Sequence, residues 1–277
     1  MFEVDALKIY RGKDIHITDK IIVRQPTLDE IIDFGEQKYF NAIYTLTSVG
    51  ADLKWQLWDY YNIDYTQIND YDLFINIISQ LVSSKRDLYN ELVLHPDEHK
   101  EEINKMSDED INDLLINPLQ IILNIDLADF DIMQKESNGQ MVLYDTKRDI
   151  VIDRLVYSNL IETVRKIHGL KRNNQMPANE TTKRDLIEDA RDDYNASKNK
   201  PYKSSLLPLA SSLKVYCHEC GKDDIWNMRI GEFFYDIRRV YKMIDADALL
   251  KGAFSGFADL KDVDKNRFDW AGDLSNN

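Results

Sequence analysis

Residues 229–244 read RIGEFFYDIRRVYKMI, and this stretch has the clearest helical pattern in the chain. Apolar residues recur there at intervals of three and four, which places them along one face of an α-helix. They are Ile230, Phe233, Phe234, Ile237, Val240, Tyr241 and Ile244. A stripe this regular usually closes a hydrophobic core, so we expect a core helix. The alternative is that the stripe is an exposed face on which a helical partner docks.

Further helices are predicted on both sides of this stretch. Thr27 and Glu30 occupy the two positions of a capping box, which predicts a helix from there to about Leu46. Gly169 follows a helical run that starts at about Asp153, and a glycine in that place predicts a left-handed cap. Other helices are expected at 52–60, 70–82, 86–93, 204–215 and 247–254, and one from a cap at Thr181 or Thr182 to 196.

Two segments predict β-structure. Residues 6–24 alternate between apolar and polar side chains, which is typical of half-buried strands, and Pro26 ends this unit. Asn138-Gly139 lies between apolar runs and predicts a β-hairpin over Phe130–Tyr144. The expected fold is therefore α+β and mainly helical, with a small N-terminal β unit and one central β-hairpin packed with multiple helices.

The strongly acidic residues 96–113 suggest a division of the chain. We expect an N-terminal β unit plus helices at 1–95, an acidic linker or helix at 96–113, and the hairpin with a helical C-terminal part at 114–277. A single continuous domain is equally compatible with a chain of this length.

The charge balance bears on the partners to expect. The 277 residues contain 49 Asp and Glu against 35 Lys and Arg, a formal net charge of −14. Such a field repels phosphate backbones and anionic membranes, so we expect neither nucleic acid nor a membrane as partner. No apolar run approaches the ~20 residues that span a bilayer, and the N-terminus lacks a signal-peptide pattern. The expected location is the cytoplasm.

Both cysteines belong to Cys217-His218-Glu219-Cys220. Cys217 and Cys220 could supply half of a zinc tetrahedron, with His95 and His99 as the only suitably spaced histidine pair. Those histidines precede the cysteines by more than a hundred residues, so we expect an incidental turn that binds no metal. Redox chemistry would place the motif at the start of a helix, whereas here it follows one. No cofactor is expected.

The aromatic residues supply the candidate contact residues. Their density between Trp55 and Tyr65 is typical of a core or of a protein interface. We take as candidate contact residues Trp55, Trp58, Tyr60, Tyr61, Phe254 and Trp270.

Two alternatives to an interaction protein remain open. A carboxylate-based enzyme would use acidic pairs such as Asp192-Asp193, Asp223-Asp224 or Asp245 with Asp247, and it would need carboxyl groups with raised pKa values in a pocket. A nucleic-acid-binding regulator would need its basic side chains on one face; these are Lys171, Arg172, Lys183 and Arg184. The chain contains no phosphate-binding loop and no nucleophile-elbow motif.

Several segments resemble the tail-morphogenesis proteins of phages that infect Gram-positive hosts, some of which are tail assembly chaperones. They are residues 25–35 (QPTLDEIIDFG), 44–48 (YTLTS), 225–228 (IWNM), 238–240 (RRV), 250–256 (LKGAFSG), 259–261 (DLK) and the end near Trp270. The resemblance covers about half of the chain. It implies a helical, non-enzymatic protein that shields the tape-measure protein during tail assembly, or a minor virion component. The implied partners are the tape-measure or tail tube protein, in the host cytoplasm; no catalytic residue and no oligomeric state is implied.

Overall fold

The computed structural model describes residues 4–89, 118–135, 139–218, 221–256, 261, 263–272 and 274. The chain is an α+β protein dominated by helices, as predicted. The acidic segment 96–113 and the pair His95 and His99 lie outside the described residues. The division of the chain at this segment therefore stays a prediction.

In chain order the elements are α1 (Ala6–Tyr10), β1 (Ile15–His16), β2 (Ile22–Val23), α2 (Leu28–Phe34), α3 (Glu36–Thr47), α4 (Lys54–Tyr61), α5 (Asp70–Tyr89), β3 (Asp131–Gln134), β4 (Met141–Asp145), β5 (Ile150–Ile152), α6 (Arg154–His168), α7 (Glu180–Ser197), α8 (Leu206–Tyr216), α9 (Lys222–Trp226) and α10 (Ile230–Phe254). Short 3-10 helices span Pro118–Ile121, Leu127–Asp129 and Lys265–Arg267.

The N-terminal unit contains less strand than predicted. Residues Ala6–Tyr10 alternate in polarity but form α1, so the prediction of a strand there is wrong. Asp5 caps this helix, because its Oδ1 accepts a hydrogen bond from the backbone N–H of Leu7 at 2.9 Å. Five alternating residues cannot by themselves distinguish a helical turn from a strand. β1 and β2 do pair antiparallel, as expected for the rest of the unit.

This unit joins distant parts of the chain. The backbone N–H of Arg24 donates to the carbonyl oxygen of Ile122 at 2.6 Å, and that of Ile230 donates to Pro26 at 3.0 Å. Residues from both sides of the acidic segment consequently share one main core. Its most deeply buried members include Ile21, Val23, Leu28, Ile31, Tyr39, Ile122, Leu160, Val164, Ile230 and Phe233.

The helix predicted from Thr27 to about Leu46 is two helices. The capping box at its start is confirmed, since Thr27 Oγ1 accepts from the N–H of Glu30 at 3.1 Å and Glu30 Oε2 accepts from the N–H of Thr27 at 2.7 Å. Gly35 then separates α2 from α3 with a φ of 100°, a conformation that glycine adopts readily. α3 starts at Glu36, whose side chain is buried.

The predicted hairpin is confirmed and has a third strand. β3 and β4 pair antiparallel with Asp131 opposite Tyr144, and Gly139 has a positive φ in the connection; Asn138 lies outside the described residues. β5 pairs with β4 on its other side, so the strand order is β3-β4-β5. With only three residues, β5 is too short for an alternating pattern to predict it.

The ends of α6 and α7 follow local capping chemistry. α6 runs from Arg154 to His168 and ends at the left-handed Gly169, as predicted. α7 is capped by Asn179, whose side chain accepts from the N–H of Thr182, so the predicted cap at Thr181 or Thr182 is wrong. An asparagine caps a helix at least as well as a threonine, and it stands one turn earlier.

Two pairs of predicted helices are continuous. α5 runs on to Tyr89 through the gap expected after residue 82, and α10 includes the segment predicted as a separate helix at 247–254. Neither gap contains a glycine or proline that would stop a helix.

A close approach at Gly231 fixes how α10 meets the N-terminal unit. A Cβ at this position would lie 2.1 Å from Gln25 Oε1 and 2.7 Å from a methyl group of Ile9. Gln25 is fully buried, and its Nε2 donates to the carbonyl oxygen of Lys13 at 2.6 Å, so it cannot move without losing that bond. The backbone of α10 can therefore approach this closely only because residue 231 has no side chain.

We expect Gly231→Ala to lower the melting temperature. Alanine favours an isolated helix over glycine by about 1 kcal/mol, so helix propensity alone predicts the opposite change. The clash with Gln25 and Ile9 should outweigh that gain by forcing α10 away from the core. Thermal denaturation of the purified variant measures the difference, and a higher melting temperature than wild type would contradict the packing described here.

Candidate interaction surfaces

The apolar stripe of α10 is buried in its first half and exposed in its second. Ile230, Phe233 and Ile237 lie in the core, which confirms the core interpretation for this part. Tyr241 and Ile244 follow at the same helical spacing, yet they are 58% and 49% exposed. We call the exposed continuation, formed by Tyr241, Ile244 and Ala248, the distal stripe. The apolar stripe therefore continues along α10 past the residues that lie in the core.

The end of α10 and the C-terminal segment hold two of the predicted contact residues. Phe254 is 90% exposed and Trp270 is 55% exposed. Arg239 holds the C-terminal segment against α10. Its Nη1 donates hydrogen bonds to the carbonyl oxygen of Gly272, at 2.8 Å, and to that of Trp270. Both aromatic side chains therefore lie at the surface, as contact residues must.

The aromatic residues of α4 divide between core and surface. Trp55 is buried in a second, smaller core cluster with Leu57, Tyr65, Leu73 and Ile187, so it is not itself an exposed contact residue. Trp58, Tyr60 and Tyr61 are exposed, Tyr60 most of all at 69%. Trp55 supports this surface from beneath, because its ring lies 5.4 Å from that of Tyr60 and 4.8 Å from that of Tyr194 on α7.

Tyr194 also belongs to this aromatic group and was not predicted from the sequence. The signal was present, since Lys183, Ile187, Ala190 and Tyr194 recur at intervals of three and four along α7. The highly charged residues between them hide this pattern, because they lower the mean hydropathy of the helix. The structure packs that face of α7 against α4.

Ion pairs join the same two helices. Lys183 is buried and donates to Asp64 at 2.9 Å and to Glu180 at 2.8 Å, with its Nζ 5.9 Å from the centre of the Trp58 ring. Arg191 donates two hydrogen bonds to Asp59, both at 2.7 Å. These bonds raise the pKa of Arg191 and lower that of Asp59, because each partner stabilises the charge of the other.

Two of the four basic residues of the nucleic-acid alternative, Arg172 and Lys183, are paired with carboxylates of the protein. Lys183 is buried between carboxylates, and Arg172 donates two hydrogen bonds to Asp70, at 2.7 and 2.9 Å. Each of these two charges is thus compensated within the protein. Arg184 is exposed, on the acidic helix α7.

A cavity of about 930 Å³ lies beside α3, and among the described residues that line it the carboxyl group is that of Glu36. Burial raises the pKa of Glu36, but hydrogen bonds from Ser204, Ser205 and the backbone of Leu206 outweigh burial, so the net shift is downward. Glu36 Oε1 accepts from the N–H groups of Ser205 and Leu206 at 2.7 and 2.9 Å. This carboxylate therefore caps α8, and its shift is opposite to the one expected of a general acid.

The acidic pairs proposed for an enzyme are used in local bonds or lie apart from this cavity. Asp245 accepts two hydrogen bonds from Arg267, which lower its pKa, and Asp247 pairs with Lys251. Asp236 differs, since burial raises its pKa to about 6 and the negative charge of Glu232 adds to the shift. Asp236 does not line the cavity beside α3.

A buried histidine–tyrosine pair joins α3 to α6. His168 Nδ1 lies 2.7 Å from the carbonyl oxygen of Val164, which can only accept, so Nδ1 carries the proton. Nε2 is then the acceptor for the hydroxyl of Tyr39, also at 2.7 Å. Burial holds the pKa of His168 down at about 4, so the imidazole is neutral. From the sequence, His168 was predicted only as the last residue of a helix.

The structure describes part of the Cys217–Cys220 motif. Cys217 follows α8 directly and is disulfide-bonded, whereas Cys220 lies outside the described residues. Among the residues that the structure describes, no group of three or more His, Cys, Asp or Glu side chains could hold a metal ion. The expected absence of zinc stays a prediction, because His95, His99 and Cys220 are not described.

In the described ranges, no helix combines the length and the apolar composition that crossing a bilayer requires. Comparison of the chain with protein-family models, with curated proteins and with solved structures finds no match.

Proposed function

We propose that this chain is a non-enzymatic bacteriophage morphogenesis protein that acts by protein–protein contact, as a tail assembly chaperone or a minor component of the virion. The observation that supports contact as its mode of action is the distal stripe of α10. Tyr241 and Ile244 keep the three- and four-residue spacing of the buried apolar residues of α10, although they are themselves exposed.

Physical chemistry favours a helical partner for the distal stripe. Apolar side chains at helical spacing are the anchors by which one helix docks against another or into a groove. Exposed apolar surface that is contiguous usually marks such a contact. Phe254, at the end of the same helix, is exposed as well. A second helix that packs along α10 would bury the distal stripe.

The tail-assembly part of the proposal rests on the resemblance of residues 25–35, 44–48 and the segments between 225 and 270 to tail-morphogenesis proteins of phages of Gram-positive hosts. The partner is then the tape-measure or the tail tube protein, met in the host cytoplasm.

The double variant Tyr241→Ala/Ile244→Ala tests this proposal. We expect its melting temperature to stay within about 2 °C of wild type, because exposed side chains contribute little to stability. We expect it to lose capture of the tape-measure or tail tube protein when it is co-expressed with the genes beside its own. Affinity purification followed by mass spectrometry measures the capture.

Leu207→Ala is the matched control, because Leu207 is a similarly exposed apolar residue on α8. It should leave both the melting temperature and the capture unchanged. Wild-type protein that captures neither tail protein would overturn the tail-assembly role. Capture by the double variant at the wild-type level would instead show that the distal stripe is not the contact.

A further inference from the structure

We infer that the C-terminal segment, residues 263–272 with Leu274, controls whether the second half of α10 is folded. When the segment is bound to α10, it keeps residues 241–254 helical and so holds the distal stripe in place for a partner. When the segment is released, this half of the helix frays and the distal stripe is lost. The docking role of the stripe rests on the proposed function, whereas the dependence of the helix on the segment does not.

The second half of α10 extends past the main core. α1 and α6 contact the first half, where the rings of Tyr10 and Tyr235 lie 5.0 Å apart and Gly169 lies against the guanidinium of Arg238. Among the described residues, Val240 is the last on α10 that packs on the main core. Most helical stability in proteins comes from tertiary packing, so a helix end that lacks it frays.

Two arginines attach the C-terminal segment to α10. Arg239, in the first half of the helix, donates to the carbonyl oxygens of Gly272 and Trp270. Arg267, in the segment, donates two hydrogen bonds to Asp245 of the second half, at 2.9 and 2.7 Å. The 3-10 helix that ends at Arg267 also packs against α10. The segment therefore connects the two halves of the helix.

Burial on the second half follows these two attachment points. Lys242 and Ala246 are buried, whereas the distal stripe at the same level of the helix is exposed. At about 100° per residue, both buried residues lie on the side of α10 bounded by Arg239 and Asp245. The segment attached there therefore covers them, and its own Leu274 is buried as well. Its contacts supply tertiary packing that the main core does not give this half.

The same contacts allow the segment to be released. The side chains of Arg267 and Asp245 are 47% and 43% exposed, so water and salt compete with their ion pair. Residues 264–267 and 269–271 of the segment are exposed. A region with few buried apolar contacts opens at a low cost in free energy, without unfolding of the rest of the protein.

Hydrogen exchange of the full chain, measured by mass spectrometry, tests the inference without a partner. Arg239→Gln/Arg267→Gln removes both attachments. We expect the backbone amides of residues 241–254 to exchange about tenfold faster, because fraying exposes them, and those of α6 to exchange as in wild type. Arg24→Gln/Arg184→Gln is the matched control, since it makes the same change of net charge at two exposed arginines. It should leave both regions unchanged.

A milder variant protects the test against general destabilisation. Asp245→Asn weakens one of the two attachments, so exchange in residues 241–254 should rise by about threefold. Unchanged exchange there in the double variant would overturn the inference, whether or not the C-terminal segment itself exchanges faster. Equal acceleration in α6 and in residues 241–254 would also contradict it, because the opening would then be global.

Capture of a partner tests the link between the segment and docking. The double variant should capture less of the tape-measure or tail tube protein than wild type does. If it captures as much as wild type although residues 241–254 have lost protection, the segment does not control docking. Wild-type protein that captures neither tail protein would refute the docking role itself, and the exchange rates would still decide whether the segment controls the helix.

Discussion

Replacing Phe233 by alanine is expected to lower the free energy of unfolding by about 3–5 kcal/mol. Phe233 is completely buried on the core face of α10, where its ring lies 5.6 Å from that of Phe234. Truncation removes the apolar contact and leaves a cavity that the surrounding core cannot fill. Since a domain is usually stable by ~5–15 kcal/mol, the melting temperature should fall by about 10 °C. Thermal and urea denaturation of the full chain measure the loss.

The neighbouring phenylalanine is the control for this prediction. Phe234 is only partly buried, so Phe234→Ala should cost less than Phe233→Ala. Helix propensity and local sequence are nearly identical at the two positions, so the difference reports burial alone. Equal losses in the two variants, or no loss at Phe233, would show that α10 does not pack as described.

Acid should destabilise the protein through His168. The unfolded chain takes up a proton at the ordinary histidine pKa of 6.5, whereas burial holds the folded pKa at about 4. Above pH 6.5 both states are neutral at this residue and the full stability is present. As the pH falls from 6.5 to 4 the unfolded state binds the proton first, and the loss should reach about 3 kcal/mol. Urea unfolding of wild type and His168→Gln at a series of pH values measures it as the difference between the two curves.

The difference between wild type and His168→Gln isolates this contribution. Asp236 acts in the opposite direction over part of the range, because its raised pKa favours the folded state as the pH falls. His168→Gln keeps Asp236 and removes the imidazole, so its stability should rise relative to that of wild type by about 3 kcal/mol as the pH falls from 6.5 to 4, whatever it loses at neutral pH. Parallel curves for wild type and His168→Gln would exclude His168 as the cause.

Features of the fold that depend on a few neighbouring residues were predictable from the sequence. The capping box of Thr27 and Glu30, the left-handed Gly169 and the hairpin around Gly139 are each set by bonds or dihedral angles within about five residues. The mainly helical α+β class follows from the same local signals. The errors arose where local signals are weak, as in the five residues of α1 and the three of β5.

The candidate surfaces were predictable only in part. Sequence identified the aromatic residues of α4 and the exposed Phe254 and Trp270, because unusual residue types are visible without a structure. It could not separate buried Trp55 from exposed Tyr60, and it missed Tyr194, which comes from a helix more than a hundred residues away. Contacts between distant segments depend on how the whole chain packs.

In the α10 helix, the contribution of the sequence can be separated from that of the tertiary structure. The sequence alone determined that residues 229–244 form a helix with one apolar face, because that follows from the spacing of the side chains. Ile237 and Ile244 are the same residue type on the same stripe, seven positions apart. Only the tertiary structure decided that Ile237 is buried and Ile244 exposed, because burial depends on where the segments packed against α10 end.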